Sequence, residues 1–447
     1  MPLPAAANAD LVLAHGVASR EDLPLPFGYA LAGALVALAV SFAVAAFLWR
    51  TPRFTGPGAG RVLPGPLGSL LDSSRLRWSL RAVGLLLAAF VAFAALAGPD
   101  VALNPTAGMV YVVFWVGLVP ASLLFGPVWR VLNPLRTLHG WLARAARVDP
   151  SRPPLPLPPW LGYWPAAAGL FAFVWLELCA PNRDSTHTLT TFFVLYSAFN
   201  LLGGLFFGRQ WFDRCDGFEV LSSLLGRLSV LARRADGALV LRSPLQNLDS
   251  VDVAPGLVAV LGILLGSTGF DSISGTQWWI DLVYDSGISP SLLNTVGLSV
   301  AIGVIAGAFW VASWLAGTLA PDGPPGFAGL FGHSLVPIAA GYLVAHYFSL
   351  LVFAGQQAVI SASDPLVDGS NLFGTAAWQV NYGVLSARGV ASVQVGMVVL
   401  GHILGVLAAH DRSMRVLPKR DAVIGQLPMM VLMIGYTLGG LSLLQTK

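Results

Sequence analysis

The chain has 447 residues, 55% of them apolar and only 11% charged, with a net charge of +3 and a mean hydropathy of +0.72. Soluble globular proteins carry roughly 25% charged residues, so this composition excludes an ordinary water-soluble domain. The basic residues are spread along the chain instead of forming one patch, which argues against nucleic acid and for a negatively charged lipid surface.

Apolar runs of about 20 residues cross the hydrocarbon as helices, because backbone amides in lipid must be satisfied within the segment. The sequence predicts ten such spans, at about 27–49, 78–98, 108–126, 161–180, 187–208, 254–270, 290–319, 329–355, 389–410 and 423–443. The expected fold class is therefore all-α, a polytopic helical membrane bundle. It forms one unit over 27–447, preceded by a segment over 1–26.

That first segment ends in Asp22-Leu23-Pro24-Leu25-Pro26, a stiff lead into the first span. It lacks the basic start and long apolar run of a signal peptide. Val12-Leu13-Ala14 nonetheless has the small-residue spacing of a cleavage site, which would leave His15 as the mature N-terminus. The connection after the first span is rich in Gly and Pro and reads as irregular. The connection after the third ends in the proline-rich stretch Pro153 to Pro159, an extended spacer, with Trp160 and Trp164 marking the lipid interface. The connection over 209–252 is the longest. Within it Phe218, Leu221, Leu224, Leu225, Leu228 and Leu231 recur at helical spacing beside Arg227, Arg233 and Arg234. The spacing predicts an interfacial helix lying in the headgroup layer, or one packed on the cytoplasmic helix ends.

Orientation follows from the basic residues. They cluster from Arg50 to Arg81, Arg130 to Arg152, Arg209 to Arg242 and Arg412 to Arg420, and only Arg20, Arg183, Arg388 and Lys447 of the 25 fall elsewhere. The positive-inside rule places these alternate connections in the cytoplasm and both termini outside. The connection at 320–328 should also be cytoplasmic, yet it carries no Lys or Arg. Cys179 and Cys215 fall on opposite faces in this topology, so no disulfide between them is expected.

An ionisable group at a helix centre costs about 2.5–3.5 kcal/mol on insertion scales, so those that persist are functional candidates. The eighth span keeps His346 and the ninth keeps His402. Consecutive antiparallel helices usually touch, so the two rings are candidates for a shared metal, a haem with two axial histidines or a proton relay. The plainer alternative is a pair of neutral histidines bonded to helix carbonyls. Glu177 lies about one turn below the outer end of the fourth span, with Arg183 and His187 as candidate partners. Asp271 reaches the same outer level from the sixth span. Glu177 and Asp271 are the candidate catalytic carboxylates. With His15, His187, His346 and His402 they form the candidate ligand set for a divalent transition metal: zinc, manganese, iron or copper. No HExxH, nucleotide loop, GxSxG or CxxC occurs.

Several short motifs carry a resemblance. They are His15-Gly16 before Asp22-Leu23-Pro24-Leu25-Pro26; Gly269-Phe270-Asp271-Ser272 before Trp278-Trp279; Leu335-Val336-Pro337-Ile338-Ala339 leading to Ala345-His346-Tyr347; Gly401-His402 leading to Ala409-His410-Asp411; and Gln426-Leu427-Pro428-Met429. Together they resemble a bacterial family of multipass membrane proteins labelled fenitrothion hydrolase-like. The resemblance implies a plasma-membrane protein that hydrolyses lipophilic phosphotriester-type esters, a reaction assisted by a metal that activates water. Two alternatives use the same residues: a secondary transporter, with a metal ion as one candidate cargo, and a haem-bearing or assembly subunit of a respiratory complex. Expected partners are the bilayer and a small lipophilic substrate or metal ion.

Overall fold

The computed structural model describes residues 27–49, 51–54, 58–234, 236–418 and 421–444. In chain order the helices are α1 (Phe27–Leu48), α2 (Gly65–Asp72), α3 (Ser74–Ala97), a π-helix (Gly108–Val116) running into α4 (Leu118–Phe125), α5 (Trp129–Leu132), α6 (Pro134–Ala145), α7 (Trp164–Leu178) and α8 (Thr186–Phe207). There follow α9 (Arg209–Cys215), α10 (Gly217–Gly226), α11 (Pro244–Leu248), α12 (Leu257–Ser274), α13 (Gln277–Asp285), α14 (Pro290–Leu319) and α15 (Phe327–Phe331). The last are α16 (Leu335–Ala362), α17 (Ala387–Val416), α18 (Asp421–Ile424) and α19 (Leu427–Leu444). Helix makes up 73% of the chain, so the fold is all-α. Strands β1 (Arg61–Val62), β2 (Leu231–Arg233) and β3 (Leu239–Leu241) add one small antiparallel sheet in the order β1-β3-β2. The first connection, expected to be irregular, therefore holds α2 and an edge strand.

Among the described residues nine helical segments are long and apolar enough to cross a membrane, and they coincide with the first nine expected spans. The tenth, α19, is apolar but shorter. The helix starts are written locally. The Ser73 hydroxyl accepts from Leu76 N at 3.2 Å, Ser289 from Leu292 N at 3.3 Å and Ser386 from Gly389 N at 3.2 Å, each satisfying an amide that the first helical turn leaves free. Pro290 and Pro165 occupy first-turn positions, where no amide is needed.

The most extensive helix pairing joins α16 to α17. A Cβ at Gly401 would lie 2.6 Å from Pro337 O, one at Gly341 would lie 2.5 Å from Met397 O, and one at Gly405 would lie 2.8 Å from Ser334 O. Only hydrogen fits between these backbones. Gly401 and Gly405 are four apart, so they open one face of α17 in the small-residue spacing that permits close helix crossing in lipid.

Of the two forms expected for the helix in the longest connection, the packed one is seen. After α8 the chain reverses at Gly208, and α9 folds back along it, with Trp211 over Gly203 and Phe212 over Gly204. Helix α10 then enters the bundle, and all but one of its ten residues are buried. Phe218 lies among Phe114, Trp115, Phe173 and Tyr196, with ring centroids 4.7 to 6.2 Å away. The apolar face therefore packs on α4 and α7 instead of lipid headgroups, and Leu231, read as its last turn, sits in β2. What admits this hairpin is the pairing of its acids. Asp216 accepts from Tyr196 Oη at 2.8 Å and Asn133 Nδ2 at 2.9 Å, and it caps α10 through Phe218 N and Glu219 N. Arg136 reaches Asp213 at 2.6 Å and Glu219 at 3.0 Å, and Arg130 also pairs with Asp213.

Burial pushes the Glu219 carboxyl up to about 7 against the pull of Arg136, with Asp216 and Asp213 adding to the rise. A carboxyl easier to protonate in the folded chain than in the unfolded one favours folding below its ordinary value. That contribution is lost as pH rises through the folded value. Thermal unfolding of the detergent-solubilised protein should show stability falling between about pH 5 and pH 8, and Glu219→Gln should flatten the slope. By the same assay Gly401→Leu should cost about 1–3 kcal/mol by overpacking the α16–α17 seam.

Candidate functional site

Three helices bring ionisable groups together. His346 on α16 is buried, and its Nε2 lies 2.5 Å from Asp271 Oδ2 on α12. Its Nδ1 is 3.5 Å from Ser272 Oγ, and its ring meets Tyr347 edge-on with centroids 4.7 Å apart. Glu177 on α7 lies within the electrostatic reach of Asp271 and Arg183. Its Oε2 is sealed from solvent and accepts no hydrogen bond among the described residues. Arg183, the expected partner, donates instead to the Glu177 main-chain oxygen at 2.9 Å.

Aromatic residues close the site. The Tyr347 hydroxyl shares the field of Glu177 and Asp271 and faces Trp115. Tyr111 Oη donates to Arg183 O at 2.9 Å, which ties the loop after α7 over Glu177. Tyr111 and Trp115 both belong to the π-helix Gly108–Val116, a rare geometry that recurs at functional sites. The sequence reading missed Tyr111, Trp115 and Tyr347, since aromatic residues in apolar helices draw no notice. The one signal available was the Tyr347 neighbour of His346.

The other expected ligands lie elsewhere. The His402 Nδ1 is 2.8 Å from Val398 O, and its ring packs edge-on against Tyr342, one turn of α16 away from His346. It sits in the glycine seam, as the carbonyl-bonded alternative has it, and does not join the cluster. His187 is exposed at the start of α8, in the field of Asp100 rather than Glu177. Ser185 and Thr186 donate to Asp100 and hold its carboxyl below the usual range. His15 lies outside the described residues.

This geometry bears on the metal and the haem. Among the described residues no three His, Cys, Asp or Glu side chains gather as ligands. With no third ligand gathered beside His346 and Asp271, the described residues do not fit a resident metal. His402 is held by Val398 O through Nδ1 and keeps Nε2 buried without a hydrogen bond among the described residues. No protein-family model, curated protein or solved structure matches the chain.

The His346–Asp271 bond sets a testable contrast. Asp271→Asn removes a charged acceptor and should lower stability by about 1.5–3 kcal/mol. His187→Ala, at an exposed position, should change it by less than about 0.5 kcal/mol. Thermal unfolding of the two variants side by side checks both.

Proposed function

We propose that the chain is a multipass protein of the bacterial plasma membrane, its arginine-rich connections in the cytoplasm and both ends outside. Phe47, Leu86, Leu195 and Val304 are each more than 60% exposed on helices of spanning length, a surface that water would penalise and lipid covers. On this reading the His346–Asp271–Glu177 cluster lies in the outer part of the bundle. Its work is to bind and release protons in step with a small solute, as in a proton-coupled secondary transporter. The observation that carries the reading is Glu177 Oε2, shut away without a hydrogen bond beside a second carboxylate bonded to a histidine. Such groups share protons instead of titrating independently. Carboxylate and histidine chains inside membranes serve as proton relays.

Ester hydrolysis is the second reading, favoured by the line Ser272 Oγ–His346–Asp271 and by the resemblance to the fenitrothion hydrolase-like family. The line places an imidazole base beside a hydroxyl, at a distance that would tighten on substrate binding. It requires no metal.

Difference infrared spectroscopy across a pH titration should show carboxyl bands that respond to pH, one of them absent in Glu177→Gln. In proteoliposomes under an outside-acid gradient, solute uptake should be abolished by a protonophore and by Glu177→Gln. Unchanged bands and unchanged uptake in that variant would overturn the proton-coupled reading. Release of nitrophenol from a lipophilic phosphotriester, lost in His346→Ala, would install the hydrolase in its place.

A further inference from the structure

Several arginines in the connections have acids at hand: Arg130 and Arg136 pair with Asp213 and Glu219, Arg214 with Asp252, Arg233 with Asp72, and Arg412 and Arg415 with Asp249. A second group is built differently. Around Arg81 on α3 stand Arg77 from the same helix, Arg136 and Arg144 from α6, and Arg209 from the α8–α9 corner, each close enough for its charge to act on Arg81. Arg81, Arg144 and Arg209 form no ion pair within 4.0 Å among the described residues. Asp72 and Asp149 act on Arg77 and Arg209 only at longer range. Trp78 holds two of these cations in place: the guanidinium carbon of Arg81 lies 4.8 Å from the indole centroid and that of Arg144 lies 5.3 Å away. Arg136 Nη2 donates to Arg209 O at 3.1 Å, which fixes α6 against the corner. Burial, with the charges of Arg136 and Arg209 adding to it, holds the neighbouring His139 below its usual range.

Three helical elements thus converge like charges that repel one another, and at Arg81 and Arg144 no acid lies within 4.0 Å among the described residues. An anion is the missing component, and the surroundings say which kind. Beyond Arg81, on the side of α3 next to Trp78, Leu86 and Phe93 are exposed, and beside Arg144, α6 exposes Trp141 and Leu142. A free phosphate has no use for that apolar track, whereas a phosphodiester carrying acyl chains matches both halves.

We infer that Arg81 and Arg144, held against Trp78, together with the nearby Arg209 form a binding site for the phosphate of an anionic phospholipid whose acyl chains run along Leu86 and Phe93. Guanidinium is the group best suited to seat a phosphate in two parallel hydrogen bonds. The bound lipid joins α3, α6 and the α8–α9 corner, and by binding only the folded chain it stabilises that arrangement. The site rests on the membrane reading alone and is independent of the proton-binding cluster.

The test uses the full chain in detergent, titrated with short-chain phosphatidylglycerol, short-chain phosphatidylcholine and inorganic phosphate, followed by native mass spectrometry and by Tm. Phosphatidylglycerol should bind and raise Tm, and the other two should not. The double substitution Arg81→Gln with Arg144→Gln should weaken phosphatidylglycerol binding roughly 30-fold. The control pair Arg147→Gln with Arg152→Gln removes as much charge from the same connection and should leave binding unchanged. If the double variant does not fold, Arg209→Gln alone should still weaken binding. Equal loss in the control pair would show diffuse surface charge and overturn the site. Phosphate as effective as the lipid would make it a free-anion site, and equal binding of phosphatidylcholine would remove the charge argument; either result overturns the inference. Failure of the membrane reading would appear separately, as chain recovered from cells without detergent.

Discussion

The contact that the rest of this structure depends on is the backbone-to-backbone approach of α16 and α17 at Gly341, Gly401 and Gly405. Small residues at such a seam let two helices come into close van der Waals contact, the means of association open to helices in lipid. The seam makes α16 a buried axis, and α16 delivers His346 and Tyr347 to the centre of the bundle. The same seam sets where α17 ends. There Asp411 accepts from Trp49 Nε1 at 3.0 Å and Arg53 N at 2.6 Å, and Arg412 bonds Asp249 at 2.8 Å. One glycine contact therefore positions the ionisable cluster at one end and ties α1 and the connection before α12 at the other.

Charge inside the bundle is handled in two ways. At the α9–α10 hairpin every acid has a cation or a hydroxyl, and the desolvation cost of Asp216 and Glu219 is offset by Arg136, Asn133 and Tyr196. At Glu177 the offset is missing: the nearest guanidinium turns to the main chain. The first arrangement fixes a hairpin, and the second leaves Glu177 Oε2 with neither an ion pair nor a hydrogen bond among the described residues.

Much of this was legible in the sequence, for physical reasons that differ by element. The long helices could be read because length and apolarity suffice to specify a lipid-crossing segment. Asp271, Glu177 and His346 stood out because ionisable groups are costly in apolar runs. His402 stood out equally and misled; Gly401-His402-Ile403-Leu404-Gly405 also reads as a close-packing motif, and the histidine sits inside it. The helix over this connection was recognised, with the headgroup layer and packing on the helix ends both open. Its acids drew no notice, because their partners Asn133 and Arg136 lie more than 75 residues earlier in the chain. Tyr111 and Trp115 left no trace, since nothing in their spacing announces a π-helix.

That π-helix is an α-helix carrying surplus residues in its turns. Loss of a single residue between Gly108 and Val116 would let the turn relax and would rotate Tyr111 or Trp115 by about 100° relative to α4. The helix would keep its apolar length, and its composition would scarcely change, but the aromatic wall would turn away from Glu177. Along this stretch the chain tolerates exchange of one apolar residue for another far better than it tolerates a deletion, so its residue count is itself part of the site.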